Sequence, residues 1–351
     1  MFDLSPIDSG GVMLSYKCSC RCRHCLYAAG PSWQDWMAVE DARRIFQGLL
    51  ATSPFLRGFH LAGGEPFLDF ERLLRIQRLA TEFRIPIEYV ETNAGWCTNE
   101  EIAREKFAQL KDAGLGCVLV SCSPFHAERI PLSRVATAIN AGYDVFGPNS
   151  VILWVPDFYR QLSEIAVDRT IPLEEYVRSV GENEARRMVQ SGYSLISGGR
   201  LGYELGGFYD RQPAERCKGE QCRPELLRSG HAHFDPYGNL VPAFCSGISL
   251  GDARDLISLY GNFDLDDLPL VRMLARGGSY ALYKFAVEEF GYEEVGGGYA
   301  GKCHLCVDVR RWIRRHTDEF PELAPAQFYE ELEPESAASE SCPQVAHIGD
   351  S

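Results

Sequence analysis

From residue 11 to about residue 200 the chain alternates short apolar runs with amphipathic stretches, and this alternation constrains the fold more than any other feature. Runs at 11–16, 58–61, 87–91, 117–122, 151–155 and 194–197 read as strands. Between them, 39–50, 69–83, 99–113, 132–141 and 173–190 read as helices. Ala42, Ile45, Phe46 and Leu49, like Leu73, Leu74, Ile76 and Leu79, fall on one face at helical spacing. A strand–helix repeat of this length predicts a parallel sheet, and about six units predict a barrel whose chemistry gathers at the C-terminal ends of the strands.

The pattern then changes. Residues 197–213 are glycine-rich and read as a junction. After it, 231–234 and 240–244 flank Asp235-Pro236-Tyr237-Gly238-Asn239 and read as a hairpin. Helical stretches follow near 268–275, 280–289 and 304–316. We expect a barrel domain over 1–213, a smaller domain over 214–317 and a tail over 318–351. The tail holds nine acids and no Lys or Arg, so a solvated acidic segment is expected there. Net charge is −14, which disfavours a nucleic-acid partner. No apolar run reaches the ~18 residues of a membrane span. The first residues lack a basic region followed by an apolar one, so a cytoplasmic protein is expected.

Thirteen cysteines, an odd number in close clusters, point to metal sites rather than disulfides in a reducing compartment. Cys18, Cys22 and Cys25 give C-x3-C-x2-C just after the first strand. Three thiolates there can hold three irons of a 4Fe–4S cube and leave the fourth open to another ligand. Lys17, Arg21 and Arg23 would offset the cluster's charge. Zinc held by Cys18, Cys20, Cys22 and Cys25 is the competing assignment, with crowded ligands. After the second strand comes Gly63-Gly64-Glu65-Pro66. The glycines allow close backbone approach, and Glu65 can pair with an ammonium group. Glu91-Thr92-Asn93 ends the third strand, and Ser121-Cys122-Ser123 ends the fourth.

These features, falling in order at consecutive strand ends, resemble the radical S-adenosylmethionine (SAM) enzymes over roughly residues 11–200. The resemblance implies an α/β fold, a partial (β/α)6 TIM-like barrel with a smaller C-terminal Fe–S domain. It implies Cys18, Cys22 and Cys25 as cluster ligands, with His24 at the family's aromatic position. Gly63, Gly64, Glu65, Pro66, Thr92, Asn93, Ser121 and Ser123 become SAM contacts, although Ser123 stands where many relatives carry Asp. The cluster would cleave SAM reductively, and the resulting 5′-deoxyadenosyl radical would abstract hydrogen from a substrate.

Cys222, Gly238, Cys245 and the pair Cys303-x2-Cys306 resemble the twitch type of auxiliary-cluster domain, a shorter relative of the SPASM domain. That resemblance implies one further 4Fe–4S cluster on Cys222, Cys245, Cys303 and Cys306, acting as an electron relay. Cys217 competes with Cys222, and a structural zinc competes with the cluster. At the mouth of the barrel, His126 and Cys122 are candidates for acid/base or hydrogen-atom chemistry, each against an ordinary buried role. Asp157 and Arg200 are candidates for binding polar substrate groups.

The expected function is oxidation or rearrangement of a small polar metabolite, because the barrel begins at residue 11 with no peptide-recognition domain before it. A maturase acting on a peptide or protein is the alternative, and a non-catalytic Fe–S or zinc scaffold is the alternative of another class. An electron donor such as flavodoxin or ferredoxin is the expected partner.

Overall fold

A computed structural model describes residues 4–192 and 195–332. Seven strands form one sheet in the order β5-β4-β3-β2-β1-β6-β7. They are β1 (Ser9–Met13), β2 (Gly58–Ala62), β3 (Ile87–Thr92), β4 (Val118–Ser121), β5 (Val151–Trp154), β6 (His231–Phe234) and β7 (Leu240–Pro242). β1 to β6 run parallel and β7 returns antiparallel to β6. Among the described residues the sheet stays open, with β5 and β7 at its edges. This is a mostly parallel α/β sheet of the partial TIM-like barrel kind.

Five of the six expected strands are present within a few residues. The sixth differs. Residues 195–197 form no strand, while 194 lies outside the described residues. The place beside β1 is taken instead by β6, pairing Ser9 with His231 and Gly11 with His233. The hairpin expected in a separate domain therefore extends the barrel sheet. Its Ala232 and Phe234 are buried against the core, which rewards joining an existing apolar layer.

Helices α1 (Val39–Thr52), α2 (Phe70–Glu82), α3 (Glu100–Asp112), α4 (Pro124–Ala127), α5 (Leu132–Phe146) and α6 (Pro156–Ser163) follow the first five strands. Asp69 and Asn99 accept from the backbone N–H groups of Arg72 and Ile102, capping α2 and α3. Phe46, Leu49, Leu73, Ile76, Phe107 and Leu110 are fully buried, each contributing about 1.5–3 kcal/mol of apolar transfer. The helix expected over 173–190 is broken at Gly181 into α7 (Leu173–Val180) and α8 (Glu182–Arg187), followed by a π turn at Met188–Gly192. After α9 (Leu201–Glu204) and α10 (Leu256–Asn262), the two stretches expected near 268–289 join as α11 (Pro269–Phe290), kinked at Gly278. α12 (Lys302–His316) carries Cys303 and Cys306 in its first turns.

The start of the acidic tail corrects another expectation. α13 (Ala326–Glu330) is packed, with Phe328 and Tyr329 buried, as is Leu332 just after it. Glu322 is buried too, accepting from the Leu270 N–H at 2.8 Å. Apolar residues spaced between the acids outweigh the net charge of this stretch. Residues 333–351 lie outside the described residues. No described helix is long and apolar enough to cross a membrane.

Candidate active site

The C-terminal ends of β1 to β4 surround a cavity of about 380 Å³. Its wall includes Cys18, Cys20, Cys22 and Cys25 from the loop after β1. Gly63 and Gly64 follow β2, Thr92 and Asn93 lie at the end of β3, and Ser121 and His126 at and after the end of β4. Motifs far apart in the chain thus share one space.

Local bonds explain why. The chain leaving β1 runs beside the glycine pair: Gly64 N–H donates to Ser15 O at 2.7 Å and Glu65 N–H to Lys17 O at 2.9 Å. A Cβ at Gly64 would lie 2.0 Å from Lys17 O, so only glycine permits this approach. The glycines are therefore required by the cysteine loop as well as by any ligand. Cys18 and Cys22 are buried and Cys25 is half-buried. Cys18 Sγ faces the N–H of Cys20 at 3.3 Å and Nδ2 of Asn93 at 3.5 Å. Donors of this kind suit a thiolate, although the Cys20 thiol and burial hold the Cys18 thiol's pKa well above its usual value until a metal displaces the proton. Cys20 is no bystander by position, since it is 2% exposed and lines the same cavity.

Several expected contacts take other roles. Glu65 is turned into the protein, accepting from Phe67 N–H (3.1 Å), Thr92 Oγ1 (3.0 Å) and Asn93 N–H (2.7 Å). It fastens the end of β2 to the end of β3 rather than lining the cavity, and Pro66 is buried behind it. Ser123 is also buried, its Oγ paired with Nδ1 of His126 at 2.8 Å. Cys122 is 1% exposed and absent from the cavity wall, and burial pushes its thiol up to about 12. Alternation along β4 explains this, because Ser121 takes the inward position and Cys122 the opposite one. Asp157 pairs with Arg160 at 3.0 Å on the exposed face of α6. Arg200 is fully buried, donating from Nε to Cys22 O at 3.1 Å and from Nη2 to Ala29 O at 2.5 Å. It clamps the cysteine loop and reaches no substrate space. Arg21 and Arg23 bind Glu204 (2.5 Å) and Glu128 (3.0 Å), so their charge is spent locally, while Lys17 donates to the neutral amide of Gln34 at 2.8 Å. His126 remains in the wall, lowered to about 4 by burial and hence neutral near pH 7. His24 lies beside it, the two ring centroids 5.1 Å apart.

Burial pushes the Glu65 carboxyl up to about 7 from an ordinary 4.5, against the opposing pull of its donors. A raised folded-state value means stability is greatest in acid and declines as pH climbs through that interval. Glu65→Gln is expected to cost about 1–3 kcal/mol through a misplaced donor, yet to lose less stability than the native chain between about pH 5 and pH 8. Chemical denaturation at both pH values checks this, and parallel losses would show that Glu65 does not titrate in the fold.

Sequence reading missed a polar layer below the cysteines. In register across four strands stand His233 (β6), Gly11 (β1), His60 (β2) and Tyr89 (β3). Gly11 leaves room for the flanking imidazoles, since a Cβ there would lie 2.4 Å from His233 and 2.6 Å from His60. The His60 and His233 rings are 5.4 Å apart, and His60 stacks on Tyr89 at 5.2 Å. Tyr27 OH pairs with His233 Nδ1 at 3.0 Å. Glu91 Oε1 lies 3.7 Å from His60 Nε2. Burial lowers His60 to about 3 and raises Glu91 to about 7. Glu91, Tyr89 and Tyr27 line the cavity, so the accessible part of Glu91 faces its interior. The alternation His231-Ala232-His233 was the available signal, but the partners come from distant strands.

A second, smaller cavity is lined by Cys222, Cys245, Cys303 and Cys306, with Lys302 and Arg310. Burial raises the Cys222 and Cys303 thiols to about 12 and about 11, and the neighbouring thiols add to it. Cys217 is elsewhere, fully buried beside Glu220 and Ser279. Phe244 lines both cavities. Among the described residues, no three His, Cys, Asp or Glu side chains converge on one metal-ion position. Tetrahedral zinc needs four ligands about 2–2.3 Å from one point. The thiols instead ring two voids.

Residues 12–145 match the Radical SAM superfamily. That stretch is similar to a radical SAM domain. The cofactors of this family are SAM and a 4Fe–4S cluster, and the cysteine-lined cavity provides thiols, N–H donors and polar strand ends suited to both. A GTP 3′,8-cyclase of Paenarthrobacter nicotinovorans is 30% identical over 118 residues, 33% of this chain. The match spans 31% of that relative's length. Among solved structures, BtrN in complex with AdoMet and 2-DOIA is 14% identical with a TM-score of 0.45, covering 78% of this chain and 89% of its own. Native anSMEcpe with bound AdoMet is 14% identical with a TM-score of 0.40, covering 74% and 81%.

Proposed function

We propose that this chain is a radical SAM enzyme acting on a small polar metabolite, with a second iron–sulfur cluster that carries an electron to or from the site. The observation that carries the reading is the joining of Cys18, Cys22 and Cys25 with Gly63, Gly64, Thr92 and Asn93 in one cavity. When bound, the cluster and SAM supply reductive cleavage of the sulfonium and a radical that takes hydrogen from the substrate.

The chain's own residues do the rest. Cys18, Cys22 and Cys25 would hold the cluster, and Asn93 Nδ2 would direct a hydrogen bond to its thiolate. Gly63, Gly64, Thr92, Asn93 and Ser121 would cradle SAM, while Glu65 keeps two of those strand ends in place. The wall of Tyr89, Glu91 and Tyr27 would face the substrate. Glu91, poised near neutrality, can accept a proton or pair with a polar group beside the neutral His60. Leu119, Leu195 and Ile196 would supply the apolar part of the wall beside the reacting atoms. Cys222, Cys245, Cys303 and Cys306 would hold the second cluster. The sharing of Phe244 between the two cavities supports an electron path between them. A small electron-transfer protein such as a flavodoxin or ferredoxin would supply the electron.

The experiment is anaerobic reconstitution with iron and sulfide, then dithionite, SAM and deuterated candidate metabolites. Deuterium appearing in 5′-deoxyadenosine from a metabolite supports the reading. Deuterium arriving only from a peptide would replace the substrate class, and no 5′-deoxyadenosine at all would overturn the enzyme itself. Glu91→Gln is expected to keep SAM cleavage in the absence of substrate but to lower substrate-derived deuterium transfer at least about tenfold, the loss of one charge-assisted contact. Equal transfer would place the substrate elsewhere.

A further inference from the structure

We propose that Arg310 is a positioning residue that sets the reduction potential of the second cluster, by directing its guanidinium N–H groups at the cluster's sulfur atoms. This rests on the reading of Cys222, Cys245, Cys303 and Cys306 as ligands of a 4Fe–4S centre.

Arg310 is 3% exposed and lies in the wall of the four-thiol cavity. It stands one helical turn after Cys306 on α12. Nη1 donates to Ser246 O at 2.9 Å, next to Cys245, and to Tyr329 OH at 2.8 Å. Tyr329 OH in turn donates to Gly247 O. The guanidinium is thus held between the Cys306 helix and the Cys245 loop, and locked from behind by α13.

Two features of this arrangement stand out among the described residues. Nε of Arg310 is buried with no hydrogen-bond acceptor among the described residues. No carboxylate forms an ion pair with this guanidinium among the described residues. Lys302, the other cation at the cavity, is different, because its Nζ is bound to Glu225 at 3.1 Å and Gln221 O at 2.6 Å. A buried cation and a buried orphan donor are both costly unless something compensates them. Four neutral thiols, with Cys306 beside the guanidinium, are weak acceptors and bring no formal charge to balance it. A 4Fe–4S centre with four thiolate ligands compensates both, since it carries net negative charge and its sulfurs accept N–H donors. Hydrogen bonds and nearby charge are what tune such a centre. A fixed cation favours the reduced, more negative state and so raises the potential.

The test is a potentiometric titration followed by EPR on reconstituted full-length protein. Arg310→Gln is expected to shift the second cluster's potential negative by at least tenfold in the reduced-to-oxidised ratio at a fixed potential, about 59 mV for one electron. The first cluster's potential should stay where it was. Arg310→Lys keeps the charge without the fork and should recover part of the shift. If Arg310→Gln assembles no second cluster, Tyr329→Phe reads the same effect through the loosened guanidinium, as a smaller negative shift. A second cluster at wild-type potential in whichever of these two variants assembles it overturns the role of Arg310 and leaves the cluster intact. Absence of any second-cluster signal in the wild-type protein overturns the cluster reading, and the proposal with it.

Discussion

Cys18→Ala, Cys22→Ala and Cys25→Ala combined is expected to abolish 5′-deoxyadenosine formation and to remove about four of the seven to eight irons of the reconstituted protein. The effect should be all or none, because an iron cube held at only three corners does not tolerate the loss of them all. The remaining wall keeps one thiol, Cys20, and the imidazole of His126, which is already paired with Ser123 Oγ at 2.8 Å. The informative control is Cys20→Ala. Cys20 lies in the same cavity, its backbone N–H aimed at Cys18 Sγ, yet it interrupts the C-x3-C-x2-C spacing. If the spacing decides the ligands, Cys20→Ala keeps the irons and cleaves SAM within about twofold of the native rate, a barrier change below ~0.5 kcal/mol. Cleavage surviving in the triple variant would reject the assignment of those thiols. Loss on Cys20→Ala would mean that the loop offers a different trio. Iron analysis and chromatography of 5′-deoxyadenosine read both outcomes from the same samples.

The barrel strands were legible because each is a short apolar run bounded by turns, and the motifs at their ends were legible because strand ends of parallel sheets converge. What failed was whatever depended on the direction of one side chain or on a long-range partner. Arg200 looked like a substrate ligand because an arginine in a glycine-rich loop is ordinarily solvated. Here it is buried and bonded to carbonyls of Cys22 and Ala29, more than 170 residues away in sequence. Glu65 was expected at the ligand and instead ties Thr92 and Asn93 to β2. Cys122 takes the ordinary buried role rather than the chemical one, since its neighbour Ser121 holds the inward position. The sixth strand was misplaced because residues 194–197 and 231–234 both look extended, and only pairing with β1 decides between them. The layer of His233, Gly11, His60 and Tyr89 could not be read at all, because register joins four segments that no local pattern connects. The packed start of the tail was hidden by its acids, although Phe328, Tyr329 and Leu332 had the spacing of a buried face.

Cys303→Ala is the sharpest probe of the second site, and its expected result separates the two centres. About four irons should be lost while the first cluster still cleaves SAM without substrate. Conversion of substrate to product should fall by orders of magnitude, because a substrate radical left without an electron acceptor is quenched instead of oxidised. The four thiols share one cavity, so Cys222→Ala, Cys245→Ala and Cys306→Ala should reproduce the phenotype. Cys217→Ala should not. Its thiol is packed near Ser279 on α11, away from the cavity, so the expected cost is only that of a small buried side chain, about 1 kcal/mol of stability. A Cys217→Ala protein that loses iron would exchange Cys217 for Cys222 in the ligand set. Unchanged iron in Cys303→Ala would remove the second cluster altogether. The distinction matters mechanistically, because among the described residues Phe244 is the one found in both cavity walls, and a relay makes sense only if both are filled. Phe244→Ala should therefore leave both iron counts intact yet slow electron exchange between the centres, seen as a slower appearance of the second cluster's EPR signal after substrate is added.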